Sequence, residues 1–355
     1  MKNVTSTGIA VIAVTALGIT AAQAQMPTLT MESAQPGGST DIAAKNLAEV
    51  AARGKIATIQ VQGGKTLTKS IVQVAEGKTD ISASPFVLNF LLSRGLGPFS
   101  GVGKEKGKKL ADNLRLLYPY HLAQFYLLSF QATGIDSYEK LKGKTVHNGP
   151  PRGGALVTAR NVIRLSSGLS EGKGYKGKQI AWGQANAIFL DRSVDAAVRP
   201  GTNPASFIPI LAAAGKLNIV SIPKAKFEGK GWQKYLNSPG NAPAVFPVSE
   251  FAHYGDNVRV VTEDGTFRSV ANGGGDVVHK KMDKKLAKAL TAAFIKSVPD
   301  LRRKVPFAKH QLYGSIDAKQ MAICYANGTK PNIRFHEGAI EAWEEAGHKV
   351  PDCAR

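Results

Sequence analysis

The chain has 355 residues, 43% hydrophobic and 20% charged, and its 46 Lys and Arg against 26 Asp and Glu give a formal charge of +20. Such a composition is globular and long enough for two lobes of ordinary size. With only two cysteines, it gives no support to a cysteine-cluster zinc site or to thiol catalysis.

Met1–Ala24 is expected to be a secretory leader. It carries Lys2, an apolar run from Gly8 to Ala22, and Ala22-Gln23-Ala24 as a small-residue cleavage site. The run is too short for a membrane span, and no later stretch reaches about 18 apolar residues. No cysteine follows the cleavage site to take a lipid. The mature protein is thus expected to be soluble and periplasmic, with a charge of +19 once Lys2 is lost. In that oxidising compartment Cys324 and Cys353 could form one bridge worth about 3 kcal/mol, the alternative being two free thiols. Lys280, Lys281, Lys284, Lys285 and Lys288 share a helical tract whose Leu286, Leu290 and Phe294 face the other way. No nucleic-acid-binding fold with aromatics among its basic residues is visible, so the charge is expected to steer small anions.

Strands and helices alternate along the mature chain. Thr28–Met31 reads as a strand, followed by Gly37-Gly38-Ser39-Thr40-Asp41 and a helix to about Arg53. Ile56–Val61 is the next strand, leading through Gly63-Gly64-Lys65-Thr66 to a helix ending at Ala75. Strand Ile81–Ala83 ends at Ser84-Pro85, where another helix begins. Arg94–Lys109 reads as an exposed loop, and Leu114–Tyr118 and Gln124–Phe130 as two separate strands. After the central stretch come a Lys/Gly turn at Gly172–Lys178, Ile180–Trp182, a helix Ala185–Leu190 and strand Ala196–Val198. Arg199-Pro200-Gly201-Thr202-Asn203-Pro204 then opens a helix to about Ala214, and Ile219–Ile222 follows. A strand from Val258, a loop Asn272–Asp276, a long helix near Asp283–Val298 and two short helices complete the chain.

The central stretch, Leu141–Arg160, carries the clearest chemistry. Strand Thr145–His147 runs into Gly149-Pro150-Pro151-Arg152-Gly153-Gly154 and then a helix. Free N–H groups and the helix dipole make such a loop an anion cradle, and Arg152 adds a fork of donors suited to a carboxylate. An ordinary strand-to-helix turn is the alternative. In parallel α/β folds ligands sit at strand ends of this kind. One lobe is expected over 25–123 and 223–355, with a second inserted as 124–222. Two crossing strands would form the hinge of a clamshell that closes on a small ligand.

Taken together, these elements resemble the TAXI class of solute-binding proteins, the receptors of certain TRAP transporters. The resemblance runs over essentially the whole mature chain. It rests on Gly37-Gly38, Val61-Gln62-Gly63-Gly64, Glu76-Gly77 with Asp80-Ile81, Leu141-Lys142-Gly143-Lys144 with Gly149-Pro150-Pro151, Val194-Asp195-Ala196-Ala197 with Gly201 and Pro204, and His336-Glu337-Gly338-Ala339-Ile340 with Glu345-Ala346-Gly347. It implies a type II periplasmic-binding-protein-like α/β fold, capture of a small organic anion, and delivery to a TRAP-type permease. Departures bear on the ligand. Thr40 and Asp41 stand where the family has aromatics, and Lys65 and Thr68 where it has serine and asparagine. Arg152-Gly153-Gly154-Ala155 replaces Gly-Ser-Gly-Thr. Lys65 and Arg152 either select a more anionic solute, such as a glutamate- or 2-oxoglutarate-like dicarboxylate, or point into solvent.

The candidate ligand-binding residues are Ser39, Thr40, Gly64, Lys65, Thr66, Ser84, Pro151, Arg152, Gly153, Gly154, Arg199 and Asn203. Ser39 and Thr40 could bind ligand or cap their helix, and Arg199 could instead pair with a surface carboxylate. Phe86 and Tyr126 could form an apolar wall or belong to the core, and His147 reads as structural. No phosphate-binding loop, HExxH or GxSxG is present, and the GxGxxG at Gly172–Gly177 precedes its strand. No cofactor or metal is expected, and a monomer is the default. A binding protein without chemistry is therefore favoured over a hydrolase or lyase on a similar scaffold. A sensor's ligand-presenting protein is the other alternative.

Overall fold

The computed structural model describes Met1 and residues 26–306, 308–318, 320–325 and 330–355; apart from Met1, the expected leader falls outside these residues. No helix among them is long and apolar enough to cross a membrane.

Eleven strands form one hydrogen-bonded sheet among the described residues. They are β1 (Thr28–Glu32), β2 (Thr58–Gln62), β3 (Ile81–Pro85), β4 (Leu114–Phe130), β5 (Thr145–His147), β6 (Lys176–Lys178), β7 (Ala196–Gly201), β8 (Leu217–Val220), β9 (Asn241–Pro247), β10 (Val258–Val261) and β11 (Thr266–His279). The main order is β2-β1-β3-β11-β4-β7-β5-β6. β1, β2 and β3 are parallel, as helical crossovers require, whereas β11 runs antiparallel to both β3 and β4. β4 and β11 are 17 and 14 residues long and pass from one lobe to the other. This is a mixed α/β architecture of the type II periplasmic-binding-protein-like form, with helix-opening loops at the strand ends.

Two sequence expectations fail at one place, the crossing. β4 is continuous from Leu114 to Phe130 where two separate strands were expected, and Asn272–Asp276 is strand where a loop was expected. Pro119 lies opposite Gly275 and Tyr118 opposite Asp276. The ladder tolerates the proline because Gly275 allows the backbones to close up: a Cβ there would stand 2.3 Å from the Tyr118 carbonyl oxygen. A third expectation fails at Lys104–Asp112, a helix instead of a loop. Gly107 there packs against the Leu92 carbonyl, so it is a close-approach glycine and not a turn. Ile180–Trp182 is not a strand, the edge being β6 instead.

The first lobe has one core, reaching from Leu29 through Phe294 and Trp343 to Ala354. Its helices Ser39–Arg53 and Lys284–Lys304 come from opposite ends of the chain. The second lobe has a core on each face, and these include Phe227, Trp232, Phe251, Phe267 and Val270. Phe227, Trp232, Phe251, Phe267 and Val270 thus pack with residues of 124–222, whereas Val277 and Val278, later in β11, belong to the first core. Cys324 and Cys353 are disulfide-bonded across 29 residues, with Cα atoms 6.2 Å apart. That closes the C-terminal tail onto the first lobe, a constraint worth about 3 kcal/mol against the unfolded chain.

Candidate functional site

A cavity of about 130 Å³ lies between the lobes. That is roughly ten times what one water needs by the same measure. Four helix-opening loops and the crossing strands build its wall. Of the expected residues, Ser39, Thr40, Lys65, Thr66, Arg152, Gly153 and Gly154 line it. Gly64, Ser84, Pro151, Arg199 and Asn203 do not, and Pro150 takes the wall position instead of Pro151. The lobes touch around the cavity. A Cβ on Gly153 would lie 3.6 Å from Thr68 Oγ1, and one on Gly37 would lie 3.6 Å from Ser206 Oγ.

The hydroxyls at the first loop are engaged within the protein. Ser39 and Thr40 open the helix, but Gly38 holds the capping position, so neither is its cap. Ser39 Oγ donates to the Leu122 carbonyl, and Thr40 Oγ1 accepts from the Ala34 N–H at 3.1 Å. Ser84 is buried and donates to Asn89 Oδ1 at 3.0 Å, while Asn203 is buried and donates to the Glu250 carbonyl at 3.0 Å. Gly64 is exposed in a left-handed turn. Lys65 is half-buried and Arg152 exposed, and neither meets a carboxylate among the described residues. Both stand at the mouth. Phe86 and Tyr126 are fully buried in the two lobes' cores, so the core alternative holds for each.

Arg199 is not on the surface. It is 1% exposed; Nη1 donates to Asn186 Oδ1 at 2.8 Å and Nη2 to Gln35 Oε1, across the lobes, at 3.3 Å. The guanidinium stacks 3.9 Å from the Phe207 ring and 5.7 Å from that of Trp182, a geometry that stabilises a desolvated cation. Among the described residues no carboxylate pairs with it, and its Nε–H has no partner. Burial pulls its pKa down to about 9, which leaves it charged at neutral pH. His147, also buried, is pushed down to about 4 by burial and by the charge of Arg199, so it is neutral.

Sequence reasoning missed most of the rest of the wall, Gln35, Leu88, Phe125, Trp182 and Phe207 among it. Phe207 packs on Gly201, where a Cβ would meet its ring at 2.8 Å, a contact the sequence alone does not reveal. Trp182 carried no local signal. Among the lining residues there is no Asp, Glu, His or Cys; the only ionisable side chains are the two cations.

Residues 54–347 match the sequence pattern of the NMT1-like family. The chain belongs to the NMT1-like family. This NMT1-like chain is also similar to several solved structures. One is a TRAP periplasmic solute-binding protein of Ralstonia eutropha H16 with bound (S)-2-acetolactate, 14% identical over 91% of this chain and 86% of that one, at a TM-score of 0.45. Another is a TRAP periplasmic solute-binding protein of Desulfovibrio salexigens in complex with diglycerolphosphate, 11% identical over 91% of each chain, at 0.46. The periplasmic aliphatic sulphonate-binding protein of Escherichia coli is 13% identical over 92% and 89%, at 0.43.

The glycine loop of the second lobe gives a direct test of lobe contact. Gly153 has φ +114°, a backbone that strains any side chain, and faces Thr68. Gly153→Val is expected to hold the lobes apart and raise the radius of gyration in small-angle scattering. Solute affinity should fall by about ten-fold, the equivalent of 1.4 kcal/mol. An unchanged scattering curve would show that Gly153 does not set the closure.

Proposed function

We propose that this chain is a periplasmic receptor of the TAXI class, which captures a small organic anion by lobe closure and hands it to a TRAP-type permease. The observation that carries the reading is the cavity's composition. Both lobes line it, its only ionisable side chains are Lys65 and Arg152, and it contains no carboxylate, imidazole or thiol. Cations at the mouth raise the local concentration of anions. A wall without a base or an evident nucleophile pair suits binding without turnover. The resemblance over the mature chain supports the transporter partner, and the Met1–Ala24 sequence supports export.

The experiment is a thermal-shift screen of the mature chain against organic acids, amines and sugars, followed by mass analysis of each hit. Ligand that binds only the folded state raises the midpoint by mass action. An acid that stabilises the chain and is recovered intact agrees with the receptor reading. Consumption of the hit, or stabilisation by amines or sugars alone, would overturn it. Uptake of that acid by membrane vesicles containing the cognate permease, only when the receptor is added, tests the partner.

A further inference from the structure

We infer that the solute is a monocarboxylate with an apolar aliphatic or aromatic body, its head held by Arg199 in place of the Gln35 side chain. This rests on the receptor reading and narrows its ligand.

Arg199 is a buried cation with no anion beside it among the described residues. Burying a charge without a counter-charge or a full set of hydrogen bonds is costly. The two acceptors it has, Asn186 Oδ1 and Gln35 Oε1, are both neutral amides, and its Nε–H is unpaired. Its guanidinium sits immediately behind the cavity, in contact with three wall residues, Gln35, Phe207 and Trp182. Of its two amide contacts, that to Gln35 is the longer, at 3.3 Å, and it comes from the opposite lobe. A carboxylate entering there would replace one neutral acceptor with two charged ones, in the fork geometry that suits arginine.

The rest of the wall sets the body of the solute. Four of its polar side chains are engaged within the protein: Ser39 with the Leu122 carbonyl, Thr40 with the Ala34 N–H, Thr202 with the Pro204 carbonyl at 2.6 Å, and Asn272 with Asn241 at 3.0 Å. Beside the hydroxyls of Thr66, Thr68 and Ser206, the wall offers the ligand apolar surface from Leu67, Leu88, Leu122 and Phe125. One buried hydroxyl on the wall, Thr68 Oγ1, has no partner among the described residues; it would take a polar substituent on the body, whereas the Thr66 and Ser206 hydroxyls are open to water. A second carboxylate would have to be desolvated against leucine or reach half-buried Lys65 or exposed Arg152 at the mouth, where water screens the pairing.

Isothermal titration of the mature chain with pentanoate, benzoate, glutarate and pentylamine separates these classes, pentanoate and glutarate having the same carbon count. Pentanoate or benzoate is expected to bind at least about ten-fold tighter than glutarate, and pentylamine not to bind. Arg199→Gln should weaken the better monocarboxylate by about 30-fold or more, as loss of one member of a desolvated charge pair does. Arg199→Lys should recover only part of that, and Lys65→Gln and Arg152→Gln should each lose less than Arg199→Gln. Glutarate binding tighter than both monocarboxylates, with Lys65→Gln or Arg152→Gln the most damaging, overturns this inference and leaves the receptor reading standing. Binding by no acid at all overturns both. Should Arg199→Gln not fold, the comparison of pentanoate with glutarate on the wild-type chain decides alone.

Discussion

Raising the pH from 4 to 8 is expected to remove about 4 kcal/mol of folding stability through one residue, Asp276. It lies in β11, fully buried where the crossing strands meet. Burial raises its pKa to about 7, against the opposing effect of the Tyr118 and Tyr120 phenols. Tyr120 donates to Oδ1 at 2.8 Å, and Oδ2 has no partner. Tyr118, Tyr120 and Tyr313 around it all have raised pKa values, burial being the largest cause, so none ionises in this range. The folded state therefore holds the proton that an unfolded aspartate loses near pH 3.9. Stability from this group is complete below about pH 4. It is lost at about 1.4 kcal/mol per unit as pH rises towards 7, and is flat above that. Urea unfolding of wild type and Asp276→Asn at pH 5, 6, 7 and 8 isolates the effect. The variant should gain on wild type steadily up to about pH 7. Parallel curves would mean that the carboxyl is ionised throughout.

Gly275→Ala is the second large effect, expected to cost about 3 kcal/mol, the upper range for overpacking. The added methyl would meet the Tyr118 carbonyl at 2.3 Å and Leu116 Cδ1 at 2.6 Å. A side-chain tip can move, but the carbonyl belongs to the neighbouring strand, so β11 and β4 would have to separate. Both lobes hang from that pair. The variant should therefore melt well below wild type, and a melting temperature within about 1 °C would show that the strands can shift without cost.

These two residues sit where the sequence was least legible. Alternation of strands and helices, and the glycine loops after β1 and β2, are local patterns, and they located Ser39, Thr40, Lys65 and Thr66 on the cavity wall. Gly153 and Gly154 were legible for the same reason. Pro119 and Gly273–Gly275 were not, because their roles depend on two segments more than 150 residues apart lying against each other. Proline ordinarily interrupts a strand and three glycines ordinarily make a loop. Only their juxtaposition turns both into a close crossing. Arg199 posed a similar difficulty. A charged residue beside Pro200 looks solvent-facing until strand β7 is placed inside the second lobe, with Phe207 folded over it. Trp182 and Gln35 reach the cavity from irregular segments, which carry no periodicity to follow.

The different make-up of the two lobes has a consequence for how a chain synthesised from its N-terminus acquires its structure. The cores of the second lobe draw only on residues between Phe125 and Val270. The core of the first spans Leu29 to Ala354, and Trp343 Nε1 donates to the Leu117 carbonyl at 3.0 Å. Closing contacts over such a long stretch of chain is slow, and it must await the last-made helix. The middle of the molecule can thus be complete while its beginning is still unburied, an order that pulse-labelled hydrogen exchange would read as protection of Val270 before Met31. Residues made first are among the last to be covered.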